Sequence, residues 1–387
     1  MQQISDTVKE AFKFIDCGVD KYLDFLCQIC SFEARAYDKQ TIDLMVDCIS
    51  SFAKDSGLLV TRTPMEKCGD FLTVEINPGA QKACFLHAHM DTVHEKGIFG
   101  NPPVRKDENR IYGPGVIDCK GGITIALFAM KALLDGGFKK HIRLLLTSDE
   151  EISNVLGGPE EIKFIKDSAS GFPYAINCET AENDEVVIAR KAIIRYRLDI
   201  KGVSGHSGKH YFTCKNAILE AAHKIIALQE SSVPGGNTYS CNVIEGGKVS
   251  NIIPDSCSVT VDIRAFSTTD MEVAKETVER IASTSFIEGT TCVANLLNVR
   301  PPMEKRPETL VLLDKLLKTC DKYNLGTLTP MEAGGGSDSC YTQAAGVTSI
   351  CGLGASGGKQ HTPSEFLNIS SIPLRAKILT AFLLDND

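Results

Sequence analysis

From Lys82 onward short apolar runs alternate with apolar helical stretches, and this rhythm restricts the fold more than any other feature of the chain. Residues 82–90 (KACFLHAHM), 141–147 (HIRLLLT) and 174–178 (YAINC) have the length and composition of strands. Residues 121–134 (GGITIALFAMKALL) and 159–168 have helical pattern. Strands separated by helices pair in parallel through right-handed crossovers, so an α/β sheet is expected. Before it, residues 22–32 and 40–57 read as helices, followed by a hairpin.

Between about 191 and 303 the rhythm changes to strand, helix, strand, strand, helix, strand. That βαββαβ order is the split pattern of a ferredoxin-like layer. After it the first pattern resumes through helix 308–324, the glycine run 334–336, strand 347–353 and helix 370–384. A chain of 387 residues exceeds what one core usually serves, about 250–300 residues. The expectation is a discontinuous domain, 1–188 plus 303–387, with 189–302 inserted.

Charge narrows the partners. Lys plus Arg number 41 against 49 Asp plus Glu, net −8, with no basic run, which argues against nucleic acid. The N-terminus lacks a basic segment followed by an apolar one, and no 18 apolar residues run together, so no membrane span is expected and a cytoplasmic enzyme is. Fifteen cysteines scattered from Cys17 to Cys351 read as buried thiols. The single CxxC, Cys27 to Cys30, lies in a helical apolar pattern and reads as two small core residues, against the alternative of a thiol oxidoreductase.

The chemistry gathers at strand ends, where open α/β sheets bind ligands. Strand 82–90 runs into His87, His89 and Asp91, which alternate onto one face. Asp118 stands in the glycine-rich turn 113–122, Asp149, Glu150 and Glu151 follow strand 141–147, and Glu179 follows strand 174–178. So many carboxylates in one place need protons, cationic side chains or metal. Imidazole and carboxylate without thiolate suit Zn, Co or Mn.

As a set, His89-Met-Asp91-Thr-Val, the turn around Asp118, Asp149-Glu150-Glu151, Glu179, Gly205-His206-Ser207, Asn251 to Asp255, Asp262-Ile-Arg264, Gly334 to Asp338 and His361-Thr-Pro resemble the M20 family of dinuclear zinc metallopeptidases. The resemblance implies a zinc-exopeptidase-like catalytic domain with a mixed, largely parallel sheet. It also implies an inserted ferredoxin-like lid and dimerisation domain, and a homodimer. It implies two zinc ions, replaceable by Co or Mn, one on His89, Asp118 and Glu179, the other on Asp118, Glu151 and His361. Glu150 becomes the general base acting on a bridging water, and Asp91 the residue that orients His89. His206 would stabilise the oxyanion, and Arg264, with Asn251 nearby, would grip a substrate carboxylate, against the alternative of a salt bridge from Arg264 to Asp262. The run around Gly335 beside Ser337 reads either as a tight turn or as N–H groups that receive a carboxylate.

Glu at position 179 resembles the carboxypeptidases and deacylases of the family, favouring a small peptide or N-acyl amino acid with a free carboxylate. A peptidase T-like aminopeptidase is the alternative, and a non-catalytic metal-binding protein a remote one. Of the remaining histidines, His87 is assigned to packing or support, His94 and His210 to the surface, His223 to a helix and His141 to a strand start.

Overall fold

The computed structural model describes residues 6–180 and 183–386. The chain divides into two compact units. Met1–Ile188, Lys305–Glu332 and Ser337–Asp387 form the first, and Ala189–Glu304 with Ala333–Gly336 the second.

The first unit is built on a six-stranded sheet in the order Leu59–Thr63, Phe71–Ile76, His141–Thr147, Lys82–His89, Tyr174–Asn177, Thr348–Ile350. The first ladder is antiparallel because its two strands form a hairpin, and the second, between Phe71–Ile76 and His141–Thr147, is antiparallel as well. The next three are parallel, as intervening helices require. The sheet is therefore mixed and largely parallel.

Burial follows from this layering. Strand Lys82–His89 is buried at every position but its first, as a strand covered on both faces must be. On one face Cys84, Leu86 and Ala88 join the core formed by helices Asp6–Cys30, Gly121–Asp135 and Ser371–Asp385. On the other, Phe85 packs with Phe71, Leu145, Ile165, Phe172 and Tyr341, under helices Gly158–Ala169 and Ser339–Ala344. Helix Gly121–Asp135 is apolar nearly all round because it is the central helix of its layer, and Gly122 at its start has a further role. A Cβ there would sit 1.8 Å from the Cys178 carbonyl oxygen. Only glycine lets the helix reach the strand end that carries Glu179.

In the second unit a four-stranded antiparallel sheet runs in the order Thr238–Gly246, Ser256–Ala265, Ala192–Lys201, Thr291–Arg300. Its connectivity is strand, helix, two strands, helix, strand, the ferredoxin-like pattern. Ile194, Tyr196, Leu198 and Ile200 alternate with Arg195, Arg197 and Asp199. The apolar set packs with Val259, Val261 and Ile263 beneath helices Ala217–Glu230 and Thr268–Ser283, leaving the charged set on the uncovered face. Among the described residues no helix is long and apolar enough to cross a membrane.

Candidate metal centre

Three strand ends, a turn and a loop of the first unit converge at Asp118. His89 ends its strand, Glu150 and Glu151 follow His141–Thr147, and Glu179 follows Tyr174–Asn177. Asp118 projects from the turn 116–120, and His361 from the loop after strand Gly357–Gly358. The two Asp118 carboxylate oxygens face different imidazoles. Oδ1 lies 3.2 Å from His89 Nε2, and Oδ2 lies 3.2 Å from His361 Nε2. Each imidazole also faces a second carboxylate, Glu179 Oε1 at 3.4 Å from His89 Nε2 and Glu151 Oε2 at 3.4 Å from His361 Nε2. Asp118 thus stands between two sets of donors of the same kind.

Electrostatics sets these groups against each other. Burial alone would raise Asp118, but hydrogen bonds from His361 and His89 hold it well below the usual carboxylate range. Glu151 moves the other way, pushed well up by burial and by the nearby Asp118 charge, and burial also raises Glu179. His361 is raised to about 10 by its bonds to Asp118 and Glu151. Burial would depress His89, yet the carboxylates of Glu179, Asp118 and Asp91 around it lift it well above its ordinary value. The cluster holds its negative charge only with positive charge at both imidazoles. This donor set, two imidazoles and three carboxylates, fits divalent metal.

Asp91 fixes the geometry. Its Oδ1 lies 3.3 Å from His89 Nδ1, on the ring edge away from Asp118. It also accepts the N–H of Glu150 at 3.3 Å and of Glu151 at 3.0 Å, so one buried carboxylate aligns an imidazole and both glutamates. Glu150 itself is buried.

Two features were not legible in the sequence. Cys119 packs against His89, its Sγ 3.3 Å from the His89 N–H, and burial pushes the thiol up to about 12. With His89 and Glu179 it forms a further buried group of three possible metal donors, which the strand-end pattern did not announce. Glu365, buried, accepts the N–H groups of Gly115, Ile117 and Asp118 and bonds to His94 Nε2. The expectation of an exposed His94 was wrong: it is 4% exposed, because Glu365 gives it a buried partner. His87 sits beside Thr147 and Asp338 within the sheet layer, in keeping with a supporting role.

The remaining candidates separate. In the second unit His206 pairs with Ile252, and Ser207 N–H donates to the Asn251 carbonyl, so His206 and Asn251 are neighbours. His206 Nδ1 accepts N–H groups from Gly208 and Lys209, which leaves the ring proton on Nε2. Arg264 is not beside them: strand positions 256 and 264 are about 26 Å apart at about 3.3 Å per residue. Its guanidinium is engaged by Asp262 at 2.6 and 3.3 Å and by the Gly334 carbonyl. The glycine run offers carbonyls, since Gly335 and Gly336 accept from Arg190. Ser337 belongs to the first unit and is fully buried, its hydroxyl facing Ser339 and Cys351. Cys27 and Cys30 lie within helix Asp6–Cys30, and burial pushes Cys30 up to about 12, which removes the thiolate an oxidoreductase needs.

Residues 85–385 match the model of peptidase family M20/M25/M40. The chain belongs to this family. Carboxypeptidase G2 of Pseudomonas sp. (strain RS-16) is 27% identical over 377 residues, covering 95% of this chain and 89% of that one. Succinyl-diaminopimelate desuccinylase of Rickettsia akari is 26% identical over 67% of this chain and 73% of its own. In structure the chain resembles the aminopeptidase PepT of Bacillus cereus, with a TM-score of 0.79 at 18% identity, over 95% of this chain and 98% of that one. Membership makes the chain a metal-dependent M20 hydrolase, and the cluster around Asp118 is its candidate metal centre.

Proposed function

We propose that this M20 hydrolase uses two zinc ions to cleave the amide bond of a small peptide or N-acyl amino acid carrying a free carboxylate. The observation that carries the reading is the placement of the two Asp118 oxygens, each 3.2 Å from a different imidazole. His89, Asp118 and Glu179 would hold one zinc, and Asp118, Glu151 and His361 the other, with Co or Mn as substitutes. Bound there, the ions would polarise the scissile carbonyl and ease ionisation of the attacking water.

The chain's own groups do the rest. Glu150, buried and aligned through its N–H by Asp91, takes a proton from the water and passes it to the leaving amine. Asp91 keeps His89 Nε2 turned toward Asp118. His206, with its proton on Nε2, is assigned as donor to the developing oxyanion. Arg264 is assigned to the substrate carboxylate, for which it must exchange Asp262, and Asn251 to a supporting contact. Homodimerisation is part of the proposal. Ile218, Leu219 and Ile226 on one helix and Val243 and Ile244 on the adjacent edge strand are exposed apolar residues that a second copy would cover. Fifteen scattered and mostly buried cysteines suit the reducing cytoplasm, where we place the enzyme.

The carboxypeptidase and desuccinylase names of the relatives support a substrate with a free carboxylate. The test is product release from a panel of N-acyl amino acids, dipeptides and tripeptides, before and after chelation and with Zn, Co or Mn restored. Release from N-acyl amino acids or peptide C-termini, lost to chelator and regained with metal, is the expected result. Activity indifferent to chelator sinks the metal reading, and release confined to tripeptide N-termini replaces the substrate with that of an aminopeptidase.

A further inference from the structure

The two halves of the metal centre are anchored differently. His89 ends a buried strand, and Glu179 leaves another with its N–H bound by Asn177 and its carbonyl by Gly354. His361 has no such root. It sits in a loop, its side chain about half exposed (54%), with a left-handed backbone at φ 60° that a β-carbon-bearing residue adopts only under constraint from its surroundings. Lys359 beside it is left-handed as well. A loop of this kind does not by itself hold an imidazole 3.2 Å from a particular oxygen.

Four residues on, Glu365 supplies the constraint. Its buried carboxylate accepts Ile117 N–H at 3.0 Å and Asp118 N–H at 3.2 Å on one oxygen, and Gly115 N–H at 3.2 Å on the other. The second oxygen also meets His94 Nε2. His94 lies in the segment that follows His89 and Asp91, and its N–H approaches the Thr92 hydroxyl. One carboxylate therefore joins three segments distant in sequence: the His89–Asp91 strand end, the Asp118 turn and the His361 loop. Three backbone donors and an imidazole satisfy all of its strong acceptor positions, which makes it a rigid bracket.

We propose that Glu365, locked by His94, is the positioning residue that assembles the metal site completed by His361, and that without it the protein keeps one metal and loses the other. The proposal rests on the two-zinc reading above. The strand-rooted site, with His89 and Glu179, has its own anchors and does not depend on the bracket to the same degree. Second-layer partners of metal ligands typically govern about 10- to 100-fold in affinity.

The experiment is zinc titration of the metal-free chain against a competing chelator, for wild type, Glu365→Ala, Glu365→Gln and His94→Gln. Wild type should take up two zinc ions. Glu365→Ala should keep one at near wild-type affinity and bind the second about 10- to 100-fold more weakly, with turnover restored by excess zinc. Glu365→Gln keeps an acceptor for Ile117 and Asp118 and should lose less, and His94→Gln, which leaves the backbone bonds in place, less again. Thermal melting of each metal-free variant shows whether it is folded, so a Glu365→Ala chain that fails to fold leaves the comparison to the other two. Unchanged affinity at both sites, or equal loss at both, overturns the proposal. A wild-type chain that takes up a single zinc overturns the two-metal reading, and this inference with it.

Discussion

Two buried acidic clusters draw members from the end of strand His141–Thr147, and the fold treats them oppositely. In one, Asp118, Glu151 and Glu179 are interleaved with His89 and His361. In the other, Asp149 and Glu161 face each other beside Cys68, all three buried, with no imidazole in the group among the described residues. Asp149 Oδ2 accepts the N–H groups of Leu156 and Gly157, but among the described residues neither Asp149 Oδ1 nor Glu161 Oε2 meets a donor. Burial, reinforced by Asp149 alongside, pushes the Glu161 carboxyl up to about 12. The second cluster keeps a proton on Glu161, whereas the first interleaves its carboxylates with imidazoles. Burying carboxylates does not by itself make a metal site: what decides is whether the neighbours are imidazoles that can exchange a proton for a metal ion.

The largest effect should come from the group that moves the proton. Glu150→Gln is expected to cost about 10²- to 10⁴-fold in kcat with zinc content unchanged, and an active variant would remove Glu150 from its role. Next, Asp91→Asn loses a charge-assisted partner of His89, and zinc affinity measured by chelator competition should fall about 10- to 100-fold. The third effect is one of pH. His361 is held protonated up to about 10 by Asp118 and Glu151, so loading metal must expel that proton. Zinc binding near neutrality should release protons to the buffer, and affinity should climb with pH by up to about tenfold per unit for each proton displaced. Flat affinity across that range contradicts the placement of His361 as a ligand.

The smallest effect tests the other cluster. The folded-state Glu161 carboxyl binds its proton more tightly than the unfolded one, so its contribution to stability is complete below the ordinary value of 4.5 and fades as pH rises toward about 12. Glu161→Gln is neutral throughout and can offer Asp149 an N–H. Its melting temperature should gain on wild type as pH rises, by the equivalent of about 1–3 kcal/mol in mildly alkaline buffer. If zinc instead stabilised the Cys68 cluster, Glu161→Gln would lower the metal stoichiometry, and the contrast between the clusters would collapse.

Much of the first cluster was legible because its members stand at fixed offsets from strand ends. An apolar run stopping at His89, another running into Asp149-Glu150-Glu151 and a third into Glu179 already place their side chains at one edge of a parallel sheet. Asp149 shows the limit of that reasoning. It follows the same strand as Glu150 and Glu151, yet the tight turn Glu150–Ile152 sends its carboxylate to Glu161 and not to the imidazoles. Arg264 is different: its residue pattern left a choice between a substrate carboxylate and a salt bridge to Asp262, and the structure puts its guanidinium on Asp262.

Sequence by itself determined the elements, their alternation, the βαββαβ insertion and the residue types at the strand ends, because periodicity and turn chemistry are local. Tertiary structure decided which oxygen of Asp118 faces which imidazole, that His94 is buried, and that Glu365 ties Asp118 to the His361 loop. Those are contacts between segments up to 271 residues apart, set by how layers close over the sheet, and no local pattern encodes a partner that far away.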